Sequence, residues 1–80
     1  MMVKEAVVLR FSEIMKSRNM CPNELATVSG ITPSTVYSML DKRRKELSIN
    51  LIKKLCDGLD ITLGEFFSAV VFDNLEQEIK

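Results

Sequence analysis

Two stretches of this sequence carry side chains able to make directed polar contacts. Residues 32–38 read "TPSTVYS", and residues 42–45 read "KRRK". Hydroxyls donate and accept hydrogen bonds, so Thr32, Ser34, Thr35, Tyr37 and Ser38, with Pro33 among them, could meet base edges or phosphate oxygens. Lys42, Arg43, Arg44 and Lys45 are four consecutive cations, a set that suits phosphate. Nothing supports catalysis. The chain has no histidine, no glycine-rich phosphate loop, no nucleophile beside a plausible base and no carboxylate pair in an evident pocket, so neither catalytic residues nor an enzyme is expected. Cys21 and Cys56 lie far apart, and a zinc site would need more ligands unless a second chain supplied them. No metal, cofactor or small-molecule ligand is expected, and the thiols read as free cysteines of a cytoplasmic protein. Cys21, near a helix start, is the candidate for a redox-sensitive thiol, whereas Cys56 reads as a small buried hydrophobe.

Eighty residues suit one domain, with the thin margin of a small core. Apolar residues make up 46% and charged residues 28%, which is ordinary globular composition and argues against disorder. No apolar run approaches the roughly 18 residues of a membrane span. The opening "MMVKEAVVLRF" has only a short apolar stretch before Arg10 and no small-residue cleavage site, so no signal peptide is expected. Net charge is zero, but its distribution is uneven. Residues 1–54 hold ten of the eleven Lys/Arg and five acids, while residues 55–80 hold one base and six acids. Such asymmetry points to a surface that faces a polyanion, although acidic tails are also common.

The elements that must position these groups read as short helices. Val7, Phe11 and Ile14, widened by Val8 and Met15, predict a first helix over about 4–18. Pro22 suits the first position of a second helix, with Leu25, Ala26 and Val28 inward and Gly30 as a left-handed end. Thr32 reads as the N-cap and Pro33 as the first residue of a third helix ending near Leu40. Ser48 caps a fourth, with Ile52, Leu55, Cys56 and Leu59 inward. Thr62 and Glu65 form a capping box for a short fifth carrying Phe66 and Phe67. Beyond it, "AVVF" could extend that helix or form a short strand, and "NLEQEIK" reads as a weak helix. The expected fold is an all-α compact bundle of about five short helices.

Two short helices joined by a tight glycine turn form a helix-turn-helix, whose second helix can enter the DNA major groove. Ala26 is small where the helices cross, Gly30 permits the turn, and Ile31 and Val36 pin the second helix. Ser and Thr are poor choices for a helix surface selected for stability alone, which favours a contact role for 34, 35 and 38. The face lacks Arg, Gln and Asn for bidentate readout, so sequence preference would lean on methyl contacts, water and DNA shape. Lys53 and Lys54 read as a solvated face of the fourth helix.

The spacing Leu25-Ala26-x-x-x-Gly30-Ile31-(x)4-Val36, followed by "SINLIKKLCDGLDITLGEFF", resembles the Cro and lambda-repressor class of helix-turn-helix regulators, the xenobiotic-response-element family. The resemblance covers roughly residues 5 to 67. It implies a lambda-repressor-like DNA-binding domain of a bacterial or phage-type transcriptional regulator that binds operator DNA, usually as a homodimer. It places a recognition helix at about 33–40 and assigns DNA contacts to Thr32, Pro33, Ser34, Thr35, Tyr37 and Ser38, with Lys42, Arg43, Arg44 and Lys45 on phosphates. Three positions depart from the family pattern. Pro22 stands where a glutamine is common, Cys21 replaces a serine cap, and Ser29 replaces an apolar residue.

Residues 1–68 are expected to form the helix-turn-helix domain and 69–80 a C-terminal extension. Six of the seven residues 66–72 are apolar, more than one face of a short helix can bury. The excess predicts either a dimer contact or closure of the core. The alternative function is a protein-interaction module that keeps the fold without an operator of its own, such as an antirepressor or an antitoxin gripping its target through the acidic tail.

Overall fold

The computed structural model describes residues 1–79. They form five α-helices: α1 (Val3–Ser17), α2 (Pro22–Ser29), α3 (Pro33–Leu40), α4 (Ile49–Gly58) and α5 (Leu63–Phe67). A 3-10 helix, Val70–Asn74, follows, and there is no strand among the described residues. None of these helices is long and apolar enough to cross a membrane.

Each helix delivers a fully buried large side chain to a common core: Phe11, Leu25, Val36, Leu55 and Phe66. Burying each is worth roughly 1.5–3 kcal/mol against exposure, and helices of 5–15 residues depend on it, since alone they would not persist in water. The inward stripe of α4 is as the periodicity predicts, with Ile52, Leu55, Cys56 and Leu59 all buried. On α2 the expected inner face needs a correction. Leu25 and Ala26 are buried, but Val28 is 49% exposed. At 100° per residue Val28 falls off the Leu25–Ala26 stripe, and Ser29 turns inward in its place.

The helix ends follow local chemistry. The Ser48 hydroxyl accepts from the backbone N–H groups of Asn50 and Leu51 at 3.1 and 3.3 Å. Thr62 and Glu65 exchange reciprocal bonds of 3.0 Å, the predicted capping box, and the Thr62 N–H holds the Glu65 carboxyl below its ordinary range. Three helices finish on a residue in the left-handed region: Asn19 after α1 (φ 52°), Gly30 after α2 (φ 68°) and Asp60 after α4 (φ 58°). At Gly30 the paired bonds Gly30 N–H to Thr27 O and Ile31 N–H to Ala26 O close the turn into α3.

The C-terminal segment is neither strand nor continued helix. Phe72, in the 3-10 helix, packs on Phe67 and Phe66 with ring centroids 4.9 and 5.7 Å apart, extending an aromatic stack that begins at Phe11. Val71 is half-buried and Val70 is 75% exposed, so most of the apolar excess closes the core. The weak helix expected over 74–80 is absent from 75–79, and its last residue lies outside the described residues. Instead the Glu76 N–H donates to the Met1 carbonyl and the Glu76 carboxylate meets the Met1 ammonium at 3.1 Å. Pairing with the N-terminal residue replaces an intrahelical ladder that so short a polar segment cannot nucleate.

Candidate nucleic-acid interface

The orientation of α3 follows from its burial pattern. Val36 and Met39 face the core, with Ile31 and Leu40 packed at its edge. On the opposite side Ser34 and Tyr37 are exposed and Ser38 is half-buried, while Pro33 is exposed at the helix start and Thr35, half-buried, flanks the core side one turn before Met39. Ser34, Tyr37 and Ser38 fall within one arc of the helix, because i, i+3 and i+4 share a face.

Thr32 is the N-cap residue, as predicted, but its side chain does not accept a backbone N–H. Its hydroxyl lies 3.1 Å from that of Ser34 and 2.9 Å from that of Thr35. The three hydroxyls form an exposed cluster at the start of the helix. Each can reorient its proton, so the cluster can present either donors or acceptors outward.

After α3 the chain makes a tight turn from Asp41 to Arg44, closed by Arg44 N–H donating to Asp41 O at 3.1 Å. The Asp41 carboxylate accepts from the Arg43 N–H (2.9 Å), Nε (3.1 Å) and Nη2 (2.9 Å). These bonds from Arg43 hold the Asp41 carboxyl at about 2, down from an ordinary 3.8, and push the Arg43 guanidinium up in turn. Thus one of the four cations is partnered within the turn. Lys42, Arg44 and Lys45 are exposed and form no ion pair among the described residues.

The remaining basic residues of the N-terminal two-thirds divide by role. Three cations of α1 and its C-cap point at the ends of other helices. Lys4 Nζ donates to the carbonyls of Asp41 and Arg44 at 2.9 and 2.7 Å, beyond α3. Arg10 donates to the carbonyls of Phe66 and Glu65 at 2.8 and 3.0 Å, at the end of α5, and lies over the Phe66 ring. Arg18 donates to Leu59 O at 2.7 Å, at the end of α4. Each offsets carbonyls that have no intrahelical partner and the negative end of a helix dipole. Lys53 is paired with Asp57 one turn along α4. The basic surplus of residues 1–54 is therefore partly internal. Sequence reasoning missed Lys4, Arg10 and Asp41. The only local signal was Asp41 two residues before Arg43, since the carbonyl partners of Lys4 and Arg10 lie 37 to 56 residues away.

A second feature without a sequence signal fixes α2 against α4. A Cβ on Gly58 would lie 2.2 Å from Ser29 Oγ and 2.8 Å from Ser29 Cα, so the backbones meet there with no room for a side chain. Ser29 Oγ is buried and has no hydrogen-bond partner among the described residues. The departure from an apolar residue at 29 is thus accompanied by a glycine on the facing helix. At the other end of α2, Cys21 is exposed and Pro22 half-buried, and Glu24 accepts from the Cys21 N–H at 3.1 Å in place of a hydroxyl cap. Cys56 is buried, and burial together with the neighbouring Asp57 charge pushes its thiol up, away from reactivity.

Comparison with known proteins agrees with this arrangement. A family model described as a Cro/C1-type helix-turn-helix DNA-binding domain matches residues 10–71, which takes in α2, α3 and the turn after it. No curated protein and no solved structure gave a match. With the matched span covering well over half of the chain, this protein belongs to the Cro/C1-type helix-turn-helix DNA-binding domains.

Proposed function

We propose that this chain is a sequence-specific transcriptional regulator that inserts α3 into the major groove of an operator. The observation that carries the reading is the two-sided character of α3. One side is sealed by Val36 and Met39, the other offers hydroxyls, and a cationic turn follows directly. In this reading Ser34, Thr35, Tyr37 and Ser38 approach base edges, while Thr32 and Pro33 sit at the helix start beside the backbone. Lys42, Arg44 and Lys45 take phosphates, and Arg43 joins them once it leaves Asp41. The work is binding rather than catalysis, in a cytoplasm that keeps Cys21 and Cys56 reduced.

The operator is read by a homodimer on two-fold-related half-sites. Support for the dimer is Val70, which stays 75% exposed beside the aromatic stack. Val70→Asp tests this without removing Phe72 from the core: sedimentation of the variant should show monomer where the parent is dimeric. A parent that is monomeric at every concentration removes the dimer from the reading.

Selection of bound duplexes from a random pool tests the function as a whole. The expected result is an enriched, symmetric sequence whose affinity falls steeply with salt. An unenriched pool with no salt-dependent binding would favour the interaction-module alternative, in which the acidic C-terminal part grips a protein.

A further inference from the structure

Lys4 is the one buried charged residue among the described residues, 8% exposed on the inner side of α1. Burying an ammonium is costly unless its donors are used. Two of the three N–H groups of Lys4 are used, and both go to one short turn. Asp41 O and Arg44 O are the first and last carbonyls of the turn that the Arg44 N–H to Asp41 O bond closes. Lys4 therefore holds both ends of a four-residue turn whose tip is Lys42 and Arg43. It also places its charge at the C-terminal end of α3, where the dipole favours a cation.

We infer that Lys4 is a positioning residue for DNA binding, which sets the angle of the Asp41–Arg44 turn so that its cations and α3 meet one duplex together. The inference rests on the DNA-binding reading above and assigns a role to a residue that cannot itself reach DNA. A loop hinged only by its own short-range bonds would present its charges at many angles, and each phosphate contact would cost the entropy of ordering it. Tying the turn to α1 removes that freedom before DNA arrives.

The test is Lys4→Met, which keeps an unbranched apolar stem as far as Cε but removes the charge and donors. Binding should weaken on the order of tenfold, by the same factor on operator and random duplexes, and the salt slope should fall by ~1, as if a phosphate contact had been deleted. A role confined to stability would lower the melting temperature without changing the salt slope of the folded protein, and that result overturns the inference. The deciding comparison repeats Lys4→Met in a chain already carrying Lys42→Ala, Arg44→Ala and Lys45→Ala. If Lys4 acts through the turn, the substitution then costs less than about twofold. An undiminished loss in that background overturns the inference. Hydrogen exchange in free protein gives a readout that needs no DNA: the Arg44 amide should lose protection in Lys4→Met, and unchanged protection also overturns it. A parent chain that binds no duplex, yet shows the Arg44 amide deprotected by Lys4→Met, instead refutes the DNA-binding reading while leaving the tie to the turn intact.

Discussion

The cations of α1 and its C-cap and the cations of the turn after α3 are the same residue types put to opposite uses. Lys4, Arg10 and Arg18 come from separate turns of one long helix and its end, and each finds carbonyls at the end of a different helix. Lys42, Arg44 and Lys45 sit on four exposed residues of chain, and their side chains form no ion pair among the described residues. A cation given a carbonyl it cannot exchange for another partner becomes part of the frame. A cation left in water keeps its charge available for a polyanion. Net charge counts the two sets alike, so the excess of bases in residues 1–54 overstates what could face DNA. The same division runs through the helices: where α2 crosses α4 nothing more fits, whereas the outer side of α3 is open hydroxyl surface.

The sharpest way to test the rigid side of this contrast is at its tightest point. Gly58→Val would drive a side chain into Ser29 backbone as well as its hydroxyl, so α2 and α4 must part. Urea unfolding should show a loss of about 3 kcal/mol, the upper end of overpacking. Gly30→Val is the useful partner to it. A Cβ there would meet nothing within 4 Å, so only the positive φ is strained, and the loss should be smaller, about 1–2 kcal/mol. Equal losses at both glycines would mean that the helix crossing yields more easily than its geometry indicates.

Next come the cations of the frame. Arg18→Met leaves the Leu59 carbonyl without its donor, and Arg10→Met does the same for Phe66, while the Glu65 carbonyl keeps the Ser68 N–H. Each should cost roughly 1.5–3 kcal/mol in stability, the range for hydrogen bonds to charged groups, with DNA affinity of the folded protein unchanged. The contrast between the two sets fails if either variant alters the salt slope of binding while leaving stability intact.

The turn is expected to behave in reverse. Arg44→Ala should leave the unfolding midpoint within error and lower the salt slope by ~1. Arg43→Ala should lower it by less, because its guanidinium must first leave Asp41, and Asp41→Asn should raise it. Titrations at several salt concentrations separate these three. On the helix itself, Ser34→Ala should keep the slope and shrink the gap between operator and random DNA by on the order of 1 kcal/mol.

The smallest expected effect concerns pH. The Asp41 carboxyl is depressed to about 2 in the folded chain from 3.8, so its contribution is complete above pH 3.8 and is lost only as pH falls through about 2. Carboxyl-resolved NMR titration should therefore find Asp41 still ionised at about pH 3, and no change in the Arg43 contact between about pH 5 and 8. Titration of Asp41 near its ordinary value would mean that Arg43 is already free for phosphate.

What the sequence alone determined is the helix caps and turns whose partners lie within a few residues, although the Asp41–Arg43 pair, two residues apart, was not read from it. Ser48, Thr62 with Glu65, Pro22, Pro33 and Gly30 all sit where their types predicted, because a cap or a left-handed turn is decided by backbone one to three positions away. The inward stripe of α4 was legible for a similar reason, since helical periodicity is itself local. The two-sided composition of α3 is local as well, so residues 21–40 were enough to mark out a helix-turn-helix. Only the tertiary structure decided that Lys4, Arg10 and Arg18 reach carbonyls of other helices, that Gly58 makes room for Ser29, and that Phe72 covers Phe66 rather than projecting outward. Long cationic side chains are equally at home in water, and an aromatic ring near a chain end can fold back or pair with another molecule. Their environment is set by elements tens of residues away, which are brought close by the packing of the core formed by Phe11, Leu25, Val36, Leu55 and Phe66.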